Sequence, residues 1–89
     1  APDSALATEL ADLAGGVTAL IERATHLADL GDLRLACHLA DLAGWAAPTD
    51  AGVHASRALI YRTRRAAESS LMAKGIFAGA ARESEAVAG

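Results

Sequence analysis

The 89-residue sequence contains few of the residue types that stabilise many small proteins or supply their chemistry. It contains one cysteine, two prolines and three aromatic residues, one each of Trp, Tyr and Phe. Because the single thiol of Cys37 cannot form an intrachain disulfide, nothing marks the chain as a disulfide-stapled module. Val and Ile together supply only six residues, and strands depend on β-branched and aromatic residues. The composition therefore argues against a sheet.

The sequence also lacks an excess of positive charge and a long apolar run. Its net charge of −3 gives no overall attraction to nucleic acid or to an anionic membrane. Every uncharged stretch is far shorter than the roughly 20 apolar residues that span a bilayer. We therefore expect neither nucleic acid nor a membrane as a partner. The compartment stays open, with a slight preference for the cytoplasm.

Alanine and leucine dominate what is present. Together they supply 36 residues, and 53% of the chain is hydrophobic. These residues favour packed helices, so we predict one small all-α domain over residues 1–89. Alanine removes little apolar area from water, and such a domain is marginally stable alone. The apolar excess and a start at Ala-Pro-Asp-Ser without an initiator Met suggest a piece of a longer chain, partly covered by other protein.

Apolar residues at helical spacing give the order of the elements. They predict a short N-terminal helix within 1–14, which the Gly15-Gly16 pair ends. Gly31 and Asp32 suit a tight turn between two antiparallel helices, and Thr49 or Asp50 can cap the next helix. The predicted architecture is two antiparallel hairpins behind the N-terminal helix, with the following bounds: hairpin one 17–46, hairpin two 50–82, frayed tail 83–89.

The two hairpins have the length of tetratricopeptide units. In the first unit the small-residue positions match, with Ala24, Ala36 and Ala43 in place. The second unit departs from the pattern at Ser70 and Phe77. Because a superhelical array needs roughly three repeats, the pattern describes a tetratricopeptide-like shape better than it describes a function.

Few side chains offer chemistry. Zinc sites need three or four converging ligands, usually signalled by closely spaced pairs, and no such pair exists here. Ser70 and Lys74 lack the spacing of a Ser-x-x-Lys nucleophile motif, so we expect a serine at a helix start and a solvated lysine. We predict no catalytic, cofactor-binding or metal-binding residue in this chain. For the residues that could in principle bind a metal, we expect one half-buried thiol and surface or boundary imidazoles and acids. These residues are Cys37, His26, His38, His54, Asp29, Asp32 and Asp41.

Three further features admit a packing or an interface role. Trp45, the only indole, suits the core or another chain about equally. Gly75 and Gly79, four residues apart, form a smooth strip for close helix contact. A basic cluster is read as a solvated face in which one or two arginines pair with Glu68, Glu83 or an acid of a partner chain; it consists of Arg57, Arg62, Arg64 and Arg65.

Several short motifs occur in an order that resembles a known family. A helix ends in Gly15-Gly16, a hairpin turns on Gly31-Asp32, an alanine-rich helix closes at 46–48, and Ala-Glu-Ser stands at 67–69. With these motifs, residues 13–82 resemble the helical dimerisation domain of alkyl sulfatases and related metallo-β-lactamase-fold hydrolases.

The resemblance implies a non-catalytic segment that pairs two subunits and helps to wall an active site. Zinc and sulfate-ester or similar hydrolysis would belong to a separate, preceding domain of the parent with an H-x-H-x-D-H motif, which is absent from these 89 residues. The implied partners are a second copy, the catalytic domain of the parent, or both. The alternatives are a tetratricopeptide-like adaptor that binds peptides and an enzyme in its own right.

Overall fold

The computed structural model describes residues 4–89, and within them it is all-helical. The predicted all-α class is confirmed, and a short first helix precedes four longer ones. Residues 1–3 of the predicted N-terminal segment lie outside the described range. The helices are α1 (Ser4–Leu13), α2 (Val17–Asp29), α3 (Leu33–Ala46), α4 (Ala51–Ala67) and α5 (Leu71–Ala88).

Glycines make the first two turns, as the sequence predicts. Gly15 and Gly16 have φ values of 99° and 113°, and Gly31 has a φ of 88°. This left-handed region is costly for residues with a Cβ atom. The glycines therefore let α1 end and α2 begin within three residues, and let α2 turn back into α3.

Side-chain caps begin the last three helices. The Asp32 carboxylate accepts a hydrogen bond from the Leu35 backbone N–H over 3.4 Å, and Asp50 accepts one from Val53 over 3.0 Å. The Ser70 hydroxyl accepts one from the Ala73 N–H over 3.3 Å. Each cap satisfies a backbone donor that has no partner inside the helix. Asp50, rather than Thr49, caps α4.

The core forms where α2, α3 and α4 pack together, with α5 against α4. The α4–α5 pair is the most extensive helix pair, followed by α2–α3. Alanines on α3 allow neighbouring helices to approach closely, while larger side chains on α2 and α4 fill the remaining space. The buried cluster includes Leu20, Ile21, Leu27, Ala36, Ala40, Ala43, Val53, Ile60, Tyr61 and Ala81.

The predicted frayed tail over 83–89 is wrong. α5 continues to Ala88, and Ser84 is completely buried. The hydroxyl of Ser84 bonds to side chains of α4, and Arg62 of α4 forms an ion pair with Glu85. These contacts with a helix more than twenty residues away hold the last turns in place.

No helix within residues 4–89 is by itself both long enough and apolar enough to cross a bilayer. Taken together, α1 and α2 reach the required length and composition, but their axes are bent by 83°.

Candidate functional site

A buried polar cluster joins α3, α4 and α5. Asp41 comes from α3 and Ser84 from α5. His54, Arg57 and Tyr61 lie three and four residues apart on α4, so they share one face of that helix.

Arg57 lies at the centre of this cluster and is only 6% exposed. Its Nε and Nη2 atoms lie 3.1 and 3.0 Å from Oδ1 of Asp41. Its Nη1 donates to the Ser84 hydroxyl over 2.6 Å and to the Ala80 carbonyl over 3.1 Å. The exposed Glu83 carboxylate lies 3.6 Å from Nη1. The guanidinium therefore has its charge and most of its donors satisfied inside the chain.

Tyr61 is the second side chain that binds Asp41. Its hydroxyl donates to Oδ1 of Asp41 over 2.8 Å, and its ring lies 4.9 Å from the Arg57 guanidinium carbon. Burial, and then the hydrogen bond to the Asp41 carboxylate, raise the pKa of the Tyr61 phenol. The phenol is therefore a fixed hydrogen-bond donor at neutral pH.

Gly44 lets α4 approach α3 at this cluster. A Cβ atom at Gly44 would lie 3.2 Å from Cδ of Arg57 and 3.3 Å from Cε1 of His54. Both distances are shorter than ordinary carbon–carbon contacts. The absence of a side chain at this position therefore makes room for the two polar side chains of α4.

His54 and Ser84 form a buried pair that resembles a base and a nucleophile. Nδ1 of His54 lies 2.9 Å from Oγ of Ser84, and Nε2 is buried without a hydrogen-bond partner among residues 4–89. In a hydrolytic triad a third group orients the histidine and the serine faces the substrate. Here Ser84 has no exposed surface, and Asp41 bonds to Arg57 and Tyr61 instead. The geometry supports a structural pair.

An open cavity of about 220 Å³ lies beside this cluster. Trp45 and Pro48 form part of its wall, with His54 and Arg57 on the α4 side and Glu83 on the α5 side. The only indole of the chain is thus partly buried beside the cavity.

The side chains that the sequence offers as candidate metal ligands do not converge. Cys37 is buried, whereas His26 and His38 are exposed, and no group of three His, Cys, Asp or Glu residues in the described 4–89 range could hold a metal ion. The expectation of a surface or boundary imidazole is wrong for His54. Its ring is buried where α4 packs against α5, and its Nδ1 forms a hydrogen bond with the Ser84 hydroxyl. Burial raises the pKa of the Cys37 thiol, which opposes thiolate formation.

The arginine cluster is not a uniformly solvated face. Arg57 is buried, and the predicted pairing with Glu83 occurs, together with a closer one to Asp41 that the sequence did not reveal. The guanidinium of Arg64 lies 4.3 Å from the centre of the Phe77 ring. Asp41 and Arg57 are sixteen residues apart and on different helices, so no local spacing links them.

Apolar side chains remain exposed on α5. Leu71, Met72 and Ile76 are 85%, 79% and 63% exposed. A Cβ atom at Gly75 would meet nothing within 4 Å, and one at Gly79 would meet only the Arg82 side chain. No other helix of the described chain therefore uses this glycine strip. We call these residues the α5 outer face: Leu71, Met72, Gly75, Ile76 and Gly79.

The family model for alkyl sulfatase dimerisation matches residues 1–86. The chain belongs to the alkyl sulfatase dimerisation family. This match confirms the resemblance to the dimerisation domain of alkyl sulfatases and extends it from residues 13–82 to residues 1–86. No curated protein and no solved structure matches the chain. Membership in the alkyl sulfatase dimerisation family describes a non-catalytic dimerisation module, and nothing supports the peptide-binding alternative.

Proposed function

We propose that this chain forms a homodimer and thereby joins two copies of a longer zinc-dependent hydrolase of the metallo-β-lactamase fold. The observation that carries the proposal is the match of a dimerisation family to residues 1–86, almost the whole chain. Self-association is the part of the proposal that rests on the family directly. The fold and chemistry of the parent rest on the sequence resemblance.

The distribution of polar and apolar groups supports a role in protein contact. The buried guanidinium and phenol, Arg57 and Tyr61, are already engaged with Asp41. By contrast, large apolar side chains stand in solvent on α5 and at the end of α1, where Leu13 is 83% exposed. Burying one such side chain against a partner contributes about 1.5–3 kcal/mol. A second protein surface therefore stabilises this chain more readily than a polar ligand does.

The polar cluster gives the dimerisation module a rigid frame. The contacts of Arg57 cross from α4 to both α3 and α5, so these helices keep a fixed relative position. A surface that is ordered before binding loses less conformational entropy on association. We assign the cluster this supporting role.

Zinc and hydrolysis belong to another domain of the parent in this proposal. A zinc site needs three or four converging ligands, and the described residues 4–89 offer no such group. The ligands would come from an H-x-H-x-D-H motif in a preceding domain. Reading the coding sequence upstream of residue 1 tests this part, and an upstream region without a histidine-rich motif would contradict it.

The solution mass of the chain tests self-association. We expect multi-angle light scattering at several hundred micromolar to give twice the 9.0 kDa mass of one chain, with the mass falling on dilution. A mass of one chain throughout, for this domain and for the longer protein, would overturn the proposal. Zinc analysis of both proteins separates the dimerisation claim from the claim about the parent.

A further inference from the structure

The α5 outer face is an uncovered apolar stripe on one side of a long helix. Met72, Ile76 and Gly79 follow one another at spacings of four and three residues, with Gly75 between them. The side chains of Met72 and Ile76 are mostly in solvent. The opposite side of α5 carries Ala81 and Ser84, which are completely buried against the rest of the chain.

We propose that the α5 outer face binds the α5 of a second copy, with the two helices antiparallel and crossing at Gly75 and Gly79. This inference rests on the proposed self-association and adds its location and its geometry. The occupant is a second copy because the family is a dimerisation family. A two-fold dimer uses the same patch on both subunits, and an apolar stripe along one helix can pair with itself.

The two glycines mark the crossing point. Inside a helix glycine is less favourable than alanine. Neither glycine is required by this chain's own packing, because a Cβ atom at Gly75 would meet nothing within 4 Å and one at Gly79 would meet only Arg82. Without side chains at the crossing, two helix axes can come closer than the usual 8–10 Å. Met72 and Ile76 of each copy then pack beside the crossing.

The charges at the end of the stripe favour an antiparallel pair. Arg82 is exposed and follows the stripe on α5. In a parallel pair the two Arg82 guanidinium groups would face each other. In an antiparallel pair that crosses near residue 77 they lie about 15 Å apart along the axis, at 1.5 Å per residue. That separation exceeds the screening length of about 8 Å at physiological salt.

Other exposed apolar residues do not form an equivalent surface. Leu30 lies in the turn between α2 and α3, Leu35 lies on α3, and Leu59 lies on α4. On α1, Leu6, Leu10 and Leu13 are 53%, 37% and 83% exposed, but this helix contains no glycine strip at which a second helix could approach closely. Leu13 therefore provides a matched control, since it is as exposed as Leu71 but lies on a different helix.

Three variants test the face by light scattering over a dilution series. The double substitution Met72→Ser and Ile76→Ser removes apolar area, and we expect the dissociation constant of the dimer to rise at least about 100-fold. Gly75→Leu raises helix propensity, so we expect the single chain to become more stable. Because the leucine side chain keeps the two helices apart at the crossing, we expect the dissociation constant of the dimer to rise at least about 10-fold. Leu13→Ser, the control, leaves the dissociation constant within about threefold of the unmodified chain.

Cross-linking tests the orientation. In a Cys37→Ala background, chains with Met72→Cys are mixed with chains with Arg82→Cys and oxidised. The antiparallel pair predicts a disulfide between the two different chains, because these positions lie opposite each other. Disulfides formed mainly between two Met72→Cys chains would show a parallel pair and overturn the orientation.

The results separate this inference from the proposed function. If the unmodified chain stays monomeric, both the proposed function and this inference are wrong. A chain that dimerises, and whose α5 variants dimerise as tightly as Leu13→Ser, overturns the α5 face and leaves self-association intact. Circular dichroism of each variant confirms that the helices remain folded.

Discussion

At the scale of single residues, Arg57 connects three helices through one guanidinium group. It bonds to Asp41 on α3 and to Ser84 on α5 while it lies on α4. A buried ion pair is not a large net source of stability, because both charges lose their hydration. Removing one partner is costly, however, since the other charge stays buried and unpaired. The side chain is therefore needed for the relative position of α3, α4 and α5.

We predict that Arg57→Ala lowers the free energy of unfolding by about 3–5 kcal/mol, because Asp41 is left without its ion pair. Urea denaturation followed by circular dichroism measures this change. Arg65→Ala on the exposed side of α4 is the control, with an expected change within about 0.5 kcal/mol. Equal effects of the two substitutions would refute the role given to Arg57.

Gly44→Ala is expected to destabilise the fold by about 1–3 kcal/mol although alanine is the better helix former. The added methyl group would lie 3.2 Å from Cδ of Arg57, so α4 has to move. Gly52→Ala, whose Cβ would meet only Oδ1 of Asp50 at 3.4 Å, tests the same exchange without this crowding. Thermal unfolding should show a lower midpoint for the first variant alone.

The raised pKa of Tyr61 predicts that the free energy of unfolding falls at alkaline pH. The folded-state pKa is raised above the ordinary value of 10.0, so above about pH 10 the unfolded state ionises first. The contribution of Tyr61 is therefore complete below pH 10 and is lost as the pH rises toward the folded-state pKa. We expect Tyr61→Phe, in a Cys37→Ala background, to reduce the alkaline slope of the unfolding free energy. An unchanged slope would show that Tyr61 does not cause it.

At the scale of elements, local signals fixed the helix boundaries and distant contacts fixed the end of the chain. Gly31, Asp32 and Asp50 act within a few residues of their own positions, so the sequence predicts their turns and caps. Ser84, which is buried, and Asp41, which is partly buried, both contact Arg57, and each is at least sixteen residues from it in the sequence. Periodicity cannot reveal such a contact, so the sequence predicts neither the C-terminal turns of α5 nor the polar cluster.

We predict that ending the chain after Arg82 lowers the free energy of unfolding by at least about 2 kcal/mol. The truncation removes the Ser84 hydroxyl and leaves the buried Arg57 and His54 without one of their partners. A frayed tail could be removed at almost no cost. Equal urea midpoints for the full and truncated chains would therefore show that residues 83–89 are frayed.

At the scale of the whole molecule, composition and family point to the same conclusion. An alanine-rich core of this size stabilises the single chain only modestly, and large apolar side chains on α5 remain in solvent. Association with a second copy buries such side chains and raises stability as the concentration increases. The overall class and the dimerisation family were accessible from the sequence, whereas the α5 outer face required the arrangement of all five helices.

The most direct test of this account is isotope-filtered NMR on an equimolar mixture of labelled and unlabelled chains. We expect intermolecular nuclear Overhauser effects between the methyl groups of Met72 and Ile76 and the α5 of the second copy. Their absence at several hundred micromolar, or intermolecular effects confined to Leu10 and Leu13 of α1, would contradict the account.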